Sequence, residues 1–377
     1  MRVAHYMPHY PGRDGSAAFC RGLSRAMNRI VPGSCPIITL RPGGTEPGPD
    51  EELLHYSWQG SWNRFRLPPA MLDDLATNRH RLDGMVLHGT YNPPMAALGR
   101  HLRKIGMPYL FIPHDPYVPE LTRHHRWRKL AYWHAFEKPL IEGARVVQVL
   151  DASHERYLRE RGCRVPVVAI PNGCEPEMLA EIPATARIPG AGEDVRILYF
   201  GRMDRNHKGL DLLLEAFARA LRDDPEASGK VTLVMTGNDW TDRGWLELAA
   251  RRLGLAGRVE FTGRREEGAM KIVAEADLVV LPSRFDGFGL CVVEAMLAAR
   301  PVLVSRRAGV ASHVAAAGAG WVVDPDVASI SRGLCQALRC RDQWPAKGLA
   351  GQRHVLEKLT WDQVARTTLR AYEEFLT

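Results

Sequence analysis

Two carboxylates, Asp286 and Glu294, are separated by seven residues, with Gly287 and Gly289 between them. Two cations, Arg202 and Lys208, lie inside a second glycine-bracketed stretch that runs from Gly201 to Gly209. These residue types at these spacings suit a nucleotide. A carboxylate about one turn into a helix can accept both hydroxyls of a ribose diol. Free N–H groups at the start of that helix can hold phosphate. Glycines at the turn let a ligand approach the backbone. Two cations aimed at one spot by a loop suit a diphosphate. A further titratable group, His114, ends the stretch Pro108–His114.

The elements that must carry these residues follow from the pattern around them. Leu278–Leu281 is a short apolar run and reads as a buried strand. The Ala-rich segment that ends at Arg300 reads as a buried helix, and 301–305 as the next strand, which makes a βαβ unit and a parallel sheet. Val195–Phe200 reads as a strand before the Arg202/Lys208 loop. After the loop, Leu210, Leu213, Leu214, Phe217 and Leu221 repeat at helical spacing. A dinucleotide site is the main rival for the Gly287–Phe288–Gly289 turn. Its third glycine position is Val292, and five residues separate Leu281 from Gly287, where a dinucleotide turn follows its strand directly.

The first half repeats the theme. Residues 2–7 read as a strand, 8–16 as a loop holding Pro11, Gly12, Gly15 and Ser16, and Ala17–Ile30 as a helix. Residues 36–40, 84–88, 108–114, 145–150 and 167–170 read as further strands, and 93–105 as a helix. His114 stands at a strand's carboxyl end, where polar residues of a parallel sheet face the ligand crevice. Tyr56, Trp58, Trp62 and Phe65 read either as sugar-stacking aromatics or as core. Residues 123–138 read as a basic, aromatic helix. One reading docks it on an anionic membrane surface; the other is a solvated basic face over a buried Trp127/Leu130 and Tyr132/Phe136 face. Asp324–Pro325–Asp326 reads as an ordinary turn. Thr360 and Gln363 form a capping-box pattern before a last helix that buries Trp361, Val364, Thr368, Leu369, Tyr372 and Phe375.

A chain of 377 residues is long enough for two domains, and 45% hydrophobic with 25% charged residues is a soluble globular profile. Met1–Tyr6 enters a strand pattern without a secretory apolar core, so a cytoplasmic protein is expected. Seven cysteines without a Cys-x-x-Cys pair argue against a disulfide framework or a zinc site. The net charge of +7 is uneven: residues 1–180 hold 23 Lys/Arg against 17 Asp/Glu and 11 of the 14 histidines. An anionic partner for the first half follows, although no nucleic-acid motif accompanies it. The proline-rich stretch 175–194 marks a boundary.

The stretch from Arg284 to Met296 resembles the Glu-x7-Glu signature of the retaining, GT-B-fold group 1 glycosyltransferases, with Asp286 in place of the first Glu. Ile170–Gly173, Gly201–Gly209 and Val259–Arg264 resemble further segments of that family, and residues 126–140 resemble members that build bacterial polysaccharides. The resemblance implies an α/β fold of two Rossmann-like, doubly wound domains facing across a cleft. One is 1–180, completed by a helix over 361–377; the other, 181–360, holds the nucleotide sugar. It implies transfer of a sugar from a nucleotide-diphosphate sugar to a hydroxyl of a saccharide or lipid-linked acceptor, with no cofactor and no metal. Glu294, Gly263 and Arg264 would hold the nucleotide, and Arg202 and Lys208 the diphosphate. Gly15, Ser16, Asp286, Gly287, Phe288, Gly289 and Leu290 would hold the sugar and phosphates. His114 would lie against the sugar, with His114, Asp286, Arg202 and Lys208 as the catalytic set. A place in cell-surface polysaccharide or glycolipid synthesis, peripheral on the inner face of the cell membrane, is the matching expectation. A nucleotide-sugar epimerase of similar fold and a non-catalytic nucleotide-sugar-binding module stay open.

Overall fold

The computed structural model describes residues 1–8, 10, 15–40, 48, 50–57, 66–114, 117–118, 126–183, 194–226, 229–238 and 242–376. Pro11, Gly12, Trp58, Trp62 to Phe65, Arg123 and residues 184–193 of the proline-rich linker lie outside the described residues. The chain divides into two units, Met1–Gly173 with Trp361–Thr377, and Cys174–Thr360. The division falls ahead of the 180/181 boundary expected from composition. Cys174 bridges to Thr360, and its amide donates to the Leu359 carbonyl at 2.8 Å, which ties the linker's start to the second unit.

The first unit is a seven-stranded sheet in the order β3-β2-β1-β4-β5-β6-β7. The strands are β1 (Val3–Tyr6), β2 (Ile37–Thr39), β3 (Leu53–His55), β4 (Gly84–His88), β5 (Tyr109–Ile112), β6 (Val147–Val149) and β7 (Val167–Ala169), and every pairing is parallel. β1, β4 and β5 are buried along their whole length, as strands covered by helices on both faces must be. The helix Trp361–Leu376 buries Trp361, Val364, Thr368 and Tyr372. Its Trp361 indole lies so close to Gly22 and Gly173 that a Cβ on either would overlap it, at 2.1 and 2.7 Å.

The second unit is a six-stranded sheet in the order β10-β9-β8-β11-β12-β13, again wholly parallel. Its strands are β8 (Asp194–Phe200), β9 (Lys230–Thr236), β10 (Val259–Gly263), β11 (Leu278–Leu281), β12 (Val302–Ser305) and β13 (Gly320–Val323). In each unit the strand order reverses once beside its first strand, between β1 and β4 and between β8 and β11. Loops leaving the carboxyl ends there diverge to opposite faces and leave a crevice for ligands.

The segment 123–138 departs from its expected form. Arg126–Tyr132 is α-helical, Trp133–Glu137 is a π turn, and Lys138–Glu142 resumes the α-helix. Trp127 and Leu130 are exposed, at 77% and 42%, while Trp133 and Glu137 are buried. The expected Trp127/Leu130 inner face is therefore corrected. The wider π turn shifts the helical register, so side chains before and after it do not share one 3.6-residue stripe. No helix among the described residues is long and apolar enough to cross a membrane.

Candidate functional site

The carboxyl ends of β8 and β11 carry the two loops singled out in the sequence. After β8, Asp204 caps the one-turn helix Arg205–Lys208 by accepting the His207 amide at 2.9 Å. Gly209 ends that turn at φ +66°, and a Cβ there would lie 2.5 Å from the Pro282 carbonyl. Glycine is required on both counts. The close approach brings the first loop onto the end of β11.

There Lys208 and Asp286 meet. Lys208 Nζ lies 2.6 Å from Asp286 Oδ2, with both side chains largely buried. Burial alone would push the Asp286 carboxyl up, but the ammonium beside it holds it below its ordinary value. For Lys208, burial pulls the other way; the Asp286 carboxylate outweighs it and raises the ammonium. Both groups are therefore charged at neutral pH. Ser283 Oγ and the Phe288 amide also point to the Asp286 carboxylate, each at 3.4 Å, at the long limit of hydrogen bonding. Phe288 is buried, so it lends its backbone to the site rather than its ring.

Gly289 begins the helix Leu290–Leu297 at φ +97°, and a Cβ there would press on Leu281 at 2.8 Å. Glu294, one turn in, is half-buried. Burial pushes its carboxyl up to about 7, and the Glu181 carboxylate adds like-charge repulsion. A carboxyl held this way gains from hydroxyl donors that stabilise its ionised form. Arg202 is exposed on the β8 loop; the Tyr199 hydroxyl donates to its carbonyl at 2.6 Å and fixes the loop's backbone. Gly263, at the carboxyl end of β10, has φ +70° and accepts the Gly237 amide at 2.9 Å. Arg264 beside it is exposed and lies 3.7 Å from Glu266. β10 is the edge strand, two strands from β8, so these two sit apart from the Lys208–Asp286 pair along the sheet.

One contributor went unnoticed in the sequence. Arg284 forms a two-armed ion pair with Asp211, both arms at 2.7 Å, and donates to the Arg205 carbonyl at 2.9 Å. Its own amide donates to the His207 carbonyl at 3.0 Å. Arg284 therefore clamps the turn that carries Lys208 onto the strand end that carries Asp286. The sequence signal was its place two residues before Asp286; its partner, 73 residues away, has no local signature.

In the first unit Gly15 and Ser16 open the helix Gly15–Ile30. A Cβ at Gly15 would meet nothing within 4 Å among the described residues, so no steric demand for glycine is visible there. His114 follows β5 in left-handed backbone, φ +61°, and its Nε2 lies 2.9 Å from His88 Nδ1. His5, Cys20 and His88 offer metal-ligating atoms within 4.8 Å of one another, but His5 Nδ1 and His88 Nε2 already face each other at 2.8 Å as a hydrogen-bonded pair. Asp324 pairs with Arg306 at 2.8 Å, and Asp326 caps the helix Val327–Arg339 by accepting the Ser329 amide at 2.8 Å. The Asp-Pro-Asp turn thus has structural work for both its carboxylates.

Residues 194–340 match the family model described as glycosyl transferases group 1, and residues 12–173 match that of the glycosyl transferase 4-like domain. The chain is 28% identical over 220 residues to a phosphatidyl-myo-inositol mannosyltransferase of Mycobacterium leprae, covering 56% of this chain and 54% of that protein. The chain spans about half the length of the curated relatives it matches. Among solved structures it resembles a sucrose-phosphate synthase from Thermosynechococcus elongatus, with TM-score 0.76 and 20% identity over 99% of this chain and 98% of that one. It also resembles Anabaena Alr3699/HepE in complex with UDP and glucose, with TM-score 0.72 and 16% identity over 99% and 100%. At these identities the structural likeness establishes the fold, two doubly wound parallel sheets of the GT-B class.

Proposed function

The chain belongs to the group 1 glycosyltransferases, and from that premise we propose that it moves a sugar from a nucleotide-diphosphate sugar to a hydroxyl of a saccharide or glycolipid acceptor, with the anomeric configuration retained. The observation that carries this reading is the Lys208–Asp286 pair at the β8/β11 strand ends. A cation and an acid are held together where the strand order reverses, beside a glycine-started helix. In the proposed reaction the C1–O bond to the diphosphate breaks, and a bond from the acceptor oxygen to C1 forms on the same face. The acceptor's proton leaves with the diphosphate. Lys208, Arg202 and the amides after Gly289 would stabilise the negative charge that develops on the leaving group. With those cations present, no metal is assigned to that task. Asp286 would take sugar hydroxyls, Glu294 the ribose diol, and Gly263 and Arg264 the base. His114 would face the sugar. The Alr3699/HepE complex, which holds UDP and glucose in the same fold, supports a donor of this class.

Incubation with a panel of UDP-, GDP- and ADP-sugars, with nucleotide diphosphate release measured with and without glycan or glycolipid acceptors, tests the reading. Acceptor-dependent release is expected, and EDTA should not abolish it. Conversion of the donor sugar without release would point to an epimerase. Binding without either would point to a non-catalytic module.

A second reading concerns residues 126–138. Trp127 and Leu130 are exposed beside the exposed Arg128, the arrangement of an interfacial anchor. This supports a cytoplasmic protein docked peripherally on an anionic membrane surface, where a lipid-linked acceptor would be found and where cell-surface polysaccharide or glycolipid is assembled.

A further inference from the structure

The strand order of the first unit reverses beside β4, so the loop that leaves the carboxyl end of β4, residues 89–92, stands at that unit's ligand crevice. Two of its four residues have left-handed backbone, Gly89 at φ +104° and Tyr91 at φ +50°. Glycine adopts that form freely, but a tyrosine does so only where its surroundings hold it. Glu137, the last residue of the π turn, supplies the hold. Its Oε1 accepts the Tyr91 amide at 2.9 Å and the Tyr117 hydroxyl at 2.7 Å. Glu137 is fully buried, and its Oε2 has no hydrogen-bond partner among the described residues. Both of the carboxyl's hydrogen bonds therefore fix this one loop and the residue that packs on it. The Tyr117 ring meets the Tyr91 ring edge-on at 5.9 Å, and Tyr132 lies against Tyr91 at 5.8 Å. Backbone and ring of Tyr91 are thus held from the segment after β5, from the helix Arg126–Tyr132 and from the π turn.

Fixing Tyr91 fixes the residues on either side of it. Thr90 and Asn92 are half-buried, and neither side chain hydrogen-bonds to another described residue. Asn92 is the N-cap of the helix Pro93–Ile105. An asparagine side chain in that position ordinarily accepts an amide of the first turn; here it makes no such bond. The reason lies in the sequence that follows. Pro93 and Pro94 have no N–H to give, and the Met95 and Ala96 amides both donate to the Asn92 carbonyl, at 3.0 and 3.4 Å. The first four helical positions therefore have no N–H left over. A helix start of this kind cannot hold a phosphate as helix N-termini commonly do. What the loop offers is one hydroxyl and one carboxamide, which donate and accept without charge. That chemistry suits the hydroxyls of a neutral ligand.

We propose that Thr90 and Asn92 are specificity residues that take hydroxyls of a neutral saccharide acceptor, and that Glu137 is the positioning residue that holds their loop in shape. The consequence for turnover rests on the glycosyl transfer proposed above; binding of the saccharide to this loop does not.

Proton–nitrogen spectra of the full chain labelled with 15N-threonine, 15N-asparagine and 15N-tyrosine test the site without turnover. The Thr90 and Asn92 signals are identified by their loss in Thr90→Val and Asn92→Ala. Neutral methyl hexopyranosides should move both signals, and inorganic phosphate should move neither. Glycosides that leave both unmoved would overturn the assignment, and phosphate that moves them would overturn its chemistry. With an acceptor that supports nucleotide release, Thr90→Val and Asn92→Ala should each raise the acceptor KM about 3–10-fold, the worth of one hydrogen bond, with the donor KM unchanged. An unchanged acceptor KM, or equal rises in both KM values, would refute a role in acceptor specificity. Glu137→Met deletes the accepting oxygen; it should raise the acceptor KM by as much and speed hydrogen exchange at the Tyr91 amide about tenfold. Glu137→Gln keeps that oxygen and should restore both. A Tyr91 amide that exchanges freely in wild type would remove Glu137 from its role, whether or not the Met variant folds. If no acceptor supports release, the glycosyl transfer reading fails and the glycoside titration still decides this one.

Discussion

Lys208→Met separates the structural from the chemical work of the buried pair. The substitution keeps the aliphatic stem and deletes the ammonium that lies 2.6 Å from Asp286. Among the described residues the carboxylate keeps two long contacts, Ser283 Oγ and the Phe288 amide at 3.4 Å. Breaking a buried ion pair from one side costs about 3–5 kcal/mol. Because the two side chains keep 14% and 12% exposure, the lower end, about 3 kcal/mol, is expected at pH 7. The loss should shrink toward pH 5, where protonation neutralises the orphaned carboxylate. In wild type the sign is opposite: a depressed acid contributes stability above its unfolded pKa and loses it as pH falls through the folded value. The double variant Lys208→Met/Asp286→Asn removes both charges and should recover most of the lost stability. Its kcat/KM should stay about 10²-fold or more below wild type, because the cation facing the leaving diphosphate is still missing. Urea unfolding of the second unit's transition and steady-state kinetics on wild type, Lys208→Met, Asp286→Asn and the double variant complete the cycle. A single variant that loses under about 1 kcal/mol, or a double variant no more stable than the single, would refute the claim that the pair is a buried ion pair.

Glu294→Gln should flatten the pH profile of stability. The wild-type carboxyl, pushed up to about 7, favours the fold below its unfolded pKa and surrenders that stability as pH rises through 7. The variant should therefore gain about 2 kcal/mol relative to wild type between pH 5 and 8 in denaturant titrations. It should also bind bare nucleotide diphosphate more weakly by calorimetry, whereas Asp286→Asn should spare that binding and impair donor turnover; equal losses would mean the two acids are wrongly assigned. Gly209→Ala should cost about 1–3 kcal/mol, since its backbone is left-handed and its Cβ would meet the Pro282 carbonyl; unchanged stability and donor affinity would contradict the claim that glycine holds the two loops together. Replacing Arg123, Arg126, Arg128 and Lys129 with Gln should release the protein from anionic vesicles, at about 1 kcal/mol per charge, with binding that weakens as salt rises; wild-type protein that ignores such vesicles at low salt would end the membrane reading.

Much of this protein was legible along the chain because the signals were local. Glycine loops, apolar runs and helical repeats gave β8, β11 and β12 and the helices that follow β8 and β11 within a few residues, since strand and helix patterning depends on neighbours in sequence. The same locality placed Arg202, Lys208, Asp286 and Glu294 on βα turns, because a turn that exposes backbone amides needs Gly209 and Gly289 where they stand. What the tertiary structure decided was pairing. Lys208 and Asp286 are 78 residues apart, and only the adjacency of β8 and β11 brings their loops together. Arg284 stood at the start of the signature stretch with no assigned role until the fold set it against Asp211. The Trp127 stripe failed because a π turn separates it from the buried Trp133 and Glu137, and Tyr117, which donates to Glu137, lies 20 residues away. The contacts among His5, His88 and His114 are the extreme case. Nothing in the sequence distinguishes His5 and His88 from structural histidines, since the two-residue stagger that joins them to His114 exists only once strand order and register are fixed. Conformation at one residue is a short-range property of the chain, whereas a charge pair or a contact between imidazoles depends on which distant strands become neighbours, and that is settled only when the whole sheet closes its hydrogen bonds.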